Sequence, residues 1–185
     1  MTSRRPLLEA LVSMLTPSDV LVSSLGANSR YLPHLKVAAP VFALCDSMGA
    51  AIPLALGMAL QRPDRRVVAL EGDGSLLMCP NVLATVAAAR PSNLTALLWV
   101  NGHYESSGGQ RLPSVPVDWP ALARGFGIAH VDRVGDVVSL RAAFQRARDA
   151  AEPALLVVDV AFDPDEPIPP YSERPDEIRA RFRIA

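Results

Sequence analysis

The chain has 185 residues, 50% hydrophobic and 20% charged, which suits one well-buried globular domain at about 150 residues per domain and excludes a disordered chain. With 18 basic against 19 acidic side chains the net charge is -1, so no broad electrostatic footprint for nucleic acid is expected. Aromatic residues make up only 5%, which argues against stacking platforms for single strands.

Residues 3–15 read as an amphipathic helix with Leu8, Leu11, Val12 and Leu15 on one face, ended by Pro17. Residues 20–23 form a short apolar strand, residues 26–35 a helix weakened by Pro33, and residues 41–44 a second strand. Residues 48–61 read as a buried helix whose Ala and Gly content lets it pack closely on a sheet. A strand over 66–70 closes on Glu71-Gly72-Asp73-Gly74, and a helix in two pieces around Pro80 runs to Arg90. Then come a strand over 94–100, a loop over 101–117, a helix over 120–126 and a strand over 128–131. Asp136 caps a helix that reaches about Ala150, and residues 155–160 form the last strand.

Strands that are apolar throughout and alternate with helices imply a parallel sheet covered on both faces. The expected fold is a single doubly wound α/β domain over 1–160, followed by a Pro-rich extension over 161–185. In that extension, residues 163–175 read as an irregular surface run and residues 176–184 as a short helix. No apolar stretch reaches the length of a membrane span, and the start lacks the apolar core and cleavage site of a signal peptide. Cys45 and Cys79 are too few for a disulfide framework, so a reducing cytoplasm is expected. Lys36, the only lysine, sits in a context with no mark of reactivity.

Ligands of such a sheet bind outside the carboxyl ends of the strands. Three loops fall there, reading CDSMG, EGDGS and NGHYESSGGQ. Gly72 and Gly74 allow close backbone approach to a ligand, and the helix that follows offers free N–H groups. Asp73 repels a phosphate directly but suits a magnesium ion that bridges to phosphates. Asn101 follows Gly74 with 26 residues between them, the span of one helix and one strand, which brings it to a neighbouring strand end. A carboxylate from Asp73, an amide oxygen from Asn101 and a backbone carbonyl make three hard oxygen ligands. Two diphosphate oxygens and a water would complete the near-octahedral shell. The plain alternatives are a Gly-Asp-Gly turn and an Asn-Gly turn. Met48, at apolar spacing, is by default a core residue.

The string GDGSLLM, the 26-residue gap and the Asn resemble the cofactor motif of thiamine-diphosphate-dependent decarboxylases and synthases. The resemblance extends to DSMGAAIPLALGMAL upstream and YESSGGQ downstream, and covers about residues 25–117. It is closest to the sulfopyruvate decarboxylase β subunit and the carboxyl-terminal domain of phosphonopyruvate decarboxylases. The resemblance implies that Asp73, the Asn101 side chain and the His103 main-chain carbonyl ligate magnesium. It implies diphosphate contacts at Gly74 and Ser75, through backbone and hydroxyl groups, with Gly72 in the cofactor set. Met48 would support the bend between the two cofactor rings, with backbone groups of Asp46 and Met48 on the aminopyrimidine edge. Ser47 and Tyr104 complete the implied cofactor set, and Asp46 stands where relatives often carry Gly. Ser106, Ser107, Gly108, Gly109, Gln110 and Arg111 are candidates for covering an anionic substrate tail, against the alternative of a mobile loop. Glu105 reads as solvated; His34, His130 and both cysteines read as structural.

In the resembled family an activating glutamate lies on a second domain of similar fold, for which this sequence is too short. The resemblance therefore implies a partner chain bearing the pyrimidine-binding domain, as a heterodimer or heterotetramer, acting on a small 2-oxo acid. The alternatives are half of another thiamine-dependent enzyme, such as a carboligase, and a non-catalytic cofactor-binding module. A magnesium–nucleotide protein has neither GxxxxGK[ST] nor GxGxxG in its favour.

Overall fold

Helix α1 (Arg4–Met14) buries Leu7, Leu8, Leu11 and Val12, the apolar stripe of the sequence. Strand β1 (Asp19–Ser23) is buried at every position. Helix α2 (Ala27–Tyr31), β2 (Val41–Ala43), α3 (Ala51–Gln61), β3 (Arg66–Gly72), α4 (Asp73–Leu76), α5 (Val82–Ala89) and β4 (Leu94–Val100) follow. The rest comprises β5 (His103–Tyr104), β6 (Gln110–Arg111), α6 (Trp119–Gly125), β7 (His130–Val134), α7 (Val137–Asp149), β8 (Ala154–Asp159) and α8 (Pro175–Arg181). These elements come from a computed structural model that describes residues 2–113 and 116–182.

Six strands form one sheet in the order β2-β1-β3-β4-β8-β7, with every pairing parallel. Helices cover both faces, so alternate residues of each strand enter two different cores. In β4, Leu97 and Trp99 pack in the core that holds Leu7 and Phe144, whereas Leu94, Ala96 and Leu98 join Ile52 and Leu83. This two-sided burial is why the strands are apolar without alternation. The fold is the doubly wound α/β class read from the sequence.

The chain steps from β1 to β2 in one direction along the sheet and from β3 to β4 in the other. Loops leaving β1 and β3 therefore diverge, and a crevice opens at the carboxyl ends of these strands.

Several boundaries differ from the sequence reading, each for a local reason. The helix expected over 48–61 begins at Ala51, because Gly49 adopts φ +73° and ends helical geometry there. A Cβ at that glycine would lie 2.9 Å from Cys79 Cβ, so no other residue fits without a shift. Residues 128–131 do not form a strand of their own; β7 runs from His130 to Val134. The Ile128 N–H closes instead on the Ala123 carbonyl at 3.1 Å and finishes the end of α6. The loop expected over 101–117 contains the β5–β6 hairpin, with His103 opposite Arg111 and Tyr104 opposite Gln110. Ser114 and Val115 of that loop, and residues 183–184 of the expected terminal helix, lie outside the described residues.

The segment from residue 161 to α8 is the irregular surface run read from the sequence, and hydrogen bonds tie it down. It lies across the loops at the carboxyl ends of the strands. The Tyr171 hydroxyl accepts from the Gly26 N–H at 3.0 Å and reaches the Cys45 carbonyl at 3.5 Å. The Tyr31 hydroxyl donates to Glu166 at 3.1 Å, and the Arg30 guanidinium donates to the carbonyls of Pro169 and Ile168. No helix among the described residues is long and apolar enough to cross a membrane.

Candidate functional site

β3 is an apolar strand that ends in Glu71-Gly72, and the next residue, Asp73, begins the single turn of α4. Asp73 is 2% exposed. Its Oδ1 accepts from the Gly74 N–H at 2.9 Å and its Oδ2 from the Gly102 N–H at 2.7 Å. Burial pushes its carboxyl above the ordinary range, and backbone N–H groups from Gly102, Gly74 and Asn101 act in the opposite direction. The Gly102 bond crosses from β3 to the loop after β4, so the two strand ends are tied at the carboxylate itself.

Asn101 stands in that loop. Its Oδ1 accepts from the His103 N–H at 2.9 Å, and His103 Nδ1 lies 2.8 Å from the Asn101 carbonyl. A carbonyl only accepts, so Nδ1 carries the ring proton. The His103 ring stacks on Phe162 with centroids 3.7 Å apart and planes 12° apart. The turn that offers Asn101 and the His103 carbonyl is thus braced by the segment after β8. Gly74 is required for a different contact: a Cβ there would meet the Tyr104 ring at 2.7 Å. Tyr104 packs directly over the turn of α4.

Asp73, Asn101, Gly72, Gly74, Ser75, His103, Tyr104 and Met48 line one cleft of about 70 Å³. Met48 reaches it from the loop before α3 and is 37% exposed, not a core residue. The Ser75 hydroxyl accepts the Gly49 N–H at 2.8 Å, so it is engaged within the protein. Ser106 and Ser107 also line the cleft. Gly108, Gly109, Gln110 and Arg111 do not line it: the Gly109 N–H turns back to the Tyr104 carbonyl at 3.0 Å and Gln110 Nε2 to the Ser107 carbonyl at 3.2 Å. Asp46 and Ser47 are exposed and lie outside the lining, as do His34, His130, Cys45 and Cys79.

Glu105 is not solvated. Its Oε1 takes Arg4 Nη2 at 2.7 Å, and its side chain is 13% exposed against 4% for the arginine. Arg4 also binds Glu166 at 3.2 Å and the Asn28 amide oxygen at 3.3 Å. Arg4, Ser24, Leu25, Ala27, Asn28 and Trp99 supply a wall of the cleft that sequence reasoning missed. Arg4 carries no local signal, because its partners lie 101 and 162 positions away. Glu71 had one: a glutamate continues a strand of buried apolar residues. It is 0% exposed, and burial pushes its carboxyl up.

These residues fit a divalent cation and a diphosphate. The donors are hard oxygens, the kind magnesium takes. The Asp73 oxygens are held by backbone N–H groups, and the Asn101 oxygen by the His103 N–H, so all three are fixed acceptors with no competing cation bonded to them among the described residues. Among the described residues Arg4 is the one Arg or Lys of the lining, against Asp73 and Glu105, so a metal ion would favour entry of a polyanion. The buried Trp99 Nε1, on a residue of the same lining, has no hydrogen-bond partner among the described residues.

Residues 28–158 match the family model described as the thiamine pyrophosphate enzyme, C-terminal TPP binding domain. The chain is 38% identical over 176 residues to a phosphonopyruvate decarboxylase of Streptomyces hygroscopicus, covering 95% of this chain and 44% of that protein. It is 27% identical over 189 residues to the sulfopyruvate decarboxylase subunit beta of Methanococcus maripaludis, covering 99% of this chain and 97% of that protein. A crystallised candidate thiamin diphosphate-dependent enzyme from Mycobacterium smegmatis superposes with a TM-score of 0.72 at 27% identity, over 88% of this chain and 32% of that one. The chain thus spans less than half the length of the Streptomyces relative.

Proposed function

The chain belongs to the thiamine pyrophosphate enzyme family, through its C-terminal TPP-binding domain, and we propose that it holds magnesium and the cofactor diphosphate in a thiamine-diphosphate-dependent decarboxylase. The substrate in this reading is a small 2-oxo acid of the sulfopyruvate or phosphonopyruvate kind. The observation that carries it is the convergence of Asp73 and Asn101, from two neighbouring strands, on one cleft.

Bound cofactor supplies an acidic thiazolium carbon and an electron sink for loss of carbon dioxide. The Asp73 carboxylate and the Asn101 amide oxygen hold the cation, with the His103 carbonyl as the third protein ligand. The Gly102 and Gly74 N–H groups fix the two carboxylate oxygens before any metal arrives, so little reorganisation remains on binding. Ser75 presents its backbone N–H to the diphosphate, since its hydroxyl takes the Gly49 N–H, while Gly72 and Gly74, whose N–H groups take carboxylate oxygens, leave room for its close approach. Met48 supports the bend of the cofactor from its loop. Ser106 and Ser107 stand beside this group where a substrate tail would lie.

A second chain, bearing the pyrimidine-binding domain and the activating glutamate, completes the site in this reading. The size of the cleft supports it: about 70 Å³ falls short of the roughly 300–1000 Å³ of a closed small-molecule site. Two free thiols, Cys45 and Cys79, agree with a reducing cytoplasm.

The test is co-expression with a pyrimidine-domain partner, then a screen of 2-oxo acids for release of carbon dioxide. The expected result is magnesium-dependent release from sulfopyruvate or phosphonopyruvate by the pair and none by either chain. Efficient turnover by this chain alone would contradict the two-chain arrangement. No release from any 2-oxo acid by the pair would contradict the activity.

A further inference from the structure

Glu71 is fully buried, two residues before Asp73, and nothing in the proposed function uses it. Its Oε2 accepts from the Ala51 N–H at 3.1 Å and its Oε1 from the Gly72 N–H at 3.3 Å. The Ile52 amide and the hydroxyls of Ser75 and Ser24 lie on the same carboxyl and favour its charged form against the effect of burial. All of these partners are neutral donors, and they come from the loop after β1, the first turn of α3 and the junction of β3 with α4.

The start of α3 explains why a carboxylate is needed. The first N–H groups of a helix have no partner within it. The residue at the cap position is Ala50, whose side chain accepts nothing. Ala51 and Ile52 are fully buried, so water does not serve their amides. Glu71 supplies the acceptor from a neighbouring strand, and its negative charge suits the helix amino terminus. One residue earlier the Gly49 N–H binds Ser75 Oγ at 2.8 Å. Residues 49, 51 and 52 are therefore pinned to the turn that presents Asp73, and Met48 is the next residue along.

We infer that Glu71 is a positioning residue: it fixes Met48 on the cleft wall by tying the start of α3 to the strand end that carries Asp73. The inference rests on the proposed function. A local Ser or Asp cap at position 50 would satisfy the same helix, but it would not couple the Met48 loop to the metal-holding turn. Glu71 does both.

The test compares two ligands, magnesium with thiamine diphosphate and magnesium with inorganic pyrophosphate, on the full chain. Only the first has rings for Met48 to support. Glu71→Gln is expected to weaken thiamine diphosphate by about tenfold, while pyrophosphate binding stays within about twofold of the parent. Combining it with Met48→Ala should weaken binding no further than Met48→Ala alone, since one change acts through the other. Adding Ala50→Asp to Glu71→Gln should recover melting temperature but not thiamine diphosphate affinity. In hydrogen exchange, the Ala51 and Ile52 amides should lose protection in Glu71→Gln while the later turns of α3 keep it. Equal losses for both ligands, additive effects with Met48→Ala, or full rescue by Ala50→Asp would overturn the inference and leave a helix cap. If Glu71→Gln does not fold, Glu71→Asp, which keeps the charge but draws the carboxylate back from the Ala51 N–H by one methylene, is held to the same two-ligand comparison. A parent chain that binds neither ligand removes the proposed function, and this inference with it; parent binding with equal losses removes the inference alone.

Discussion

Asp73 and Asn101 act as a pair because the Gly102 N–H joins the carboxylate of one strand end to the turn that follows the next. Asn101→Ala leaves this bond in place, since the donor is backbone. The expected outcome is a loss of magnesium-dependent cofactor binding of at least about tenfold with the melting temperature little changed, read by calorimetry and a thermal scan. Arg4 calls for the opposite experiment. Its guanidinium is 4% exposed between Glu105 and Glu166, and Arg4→Ala strands both carboxylates. We expect a loss of stability of about 3–5 kcal/mol in denaturant titration; a variant as stable as the parent would contradict the buried pairing. The two cases also differ in how far the sequence revealed them. The Asp73 to Asn101 spacing is a helix and a strand long, so chain geometry alone places both at one end of the sheet. The Arg4 to Glu105 pair crosses half the chain, and no local pattern encodes it; Glu105 therefore read as solvated.

Helix α7 shows an element fully specified by its own sequence. Asp136 accepts the Val138 and Ser139 N–H groups at 2.8 and 2.9 Å, and the Ser139 hydroxyl faces back, a capping box. These bonds hold the Asp136 carboxyl below its usual range. A depressed value in the folded state stabilises above the unfolded value of about 3.9 and ceases to do so as pH falls through the folded one. Asp136→Ala should therefore lower the melting temperature at neutral pH, and the gap between variant and parent should close as pH falls below the ordinary carboxylate range. A gap that stayed constant with pH would assign the effect to something other than the charged cap. The segment after β8 is the contrary case. Its Pro, Asp and Glu content says only that it is irregular, whereas its function comes from Phe162 on His103, Glu166 on Arg4 and Tyr171 on Gly26. Phe162→Ala should weaken metal-dependent cofactor binding by loosening the Asn101 turn, with calorimetry as the readout; unchanged affinity would show that the stacking braces nothing.

The molecule as a whole is two apolar cores separated by one parallel sheet, and this was legible because every sheet strand but β7 is apolar on both faces. Strand order was not legible, since no local pattern tells β3 to lie beside β1 and not β2. Yet that order opens the crevice between β1 and β3, and Ser24, Leu25 and Asn28 reach the cleft only because of it. Phe144 sits fully buried under the face opposite α3, and Phe144→Ala should cost about 3–5 kcal/mol while leaving the cleft residues in place. In the proposed function, the sheet presents an acidic and an amide oxygen to a common cation. Titration of thiamine diphosphate into this chain, paired with a pyrimidine-domain partner, tests that most directly when run with magnesium, with chelator, and with Asp73→Ala. Saturable heat with the parent and magnesium, and none in the other two titrations, is the expected result; binding of equal strength after chelation or in Asp73→Ala would contradict it.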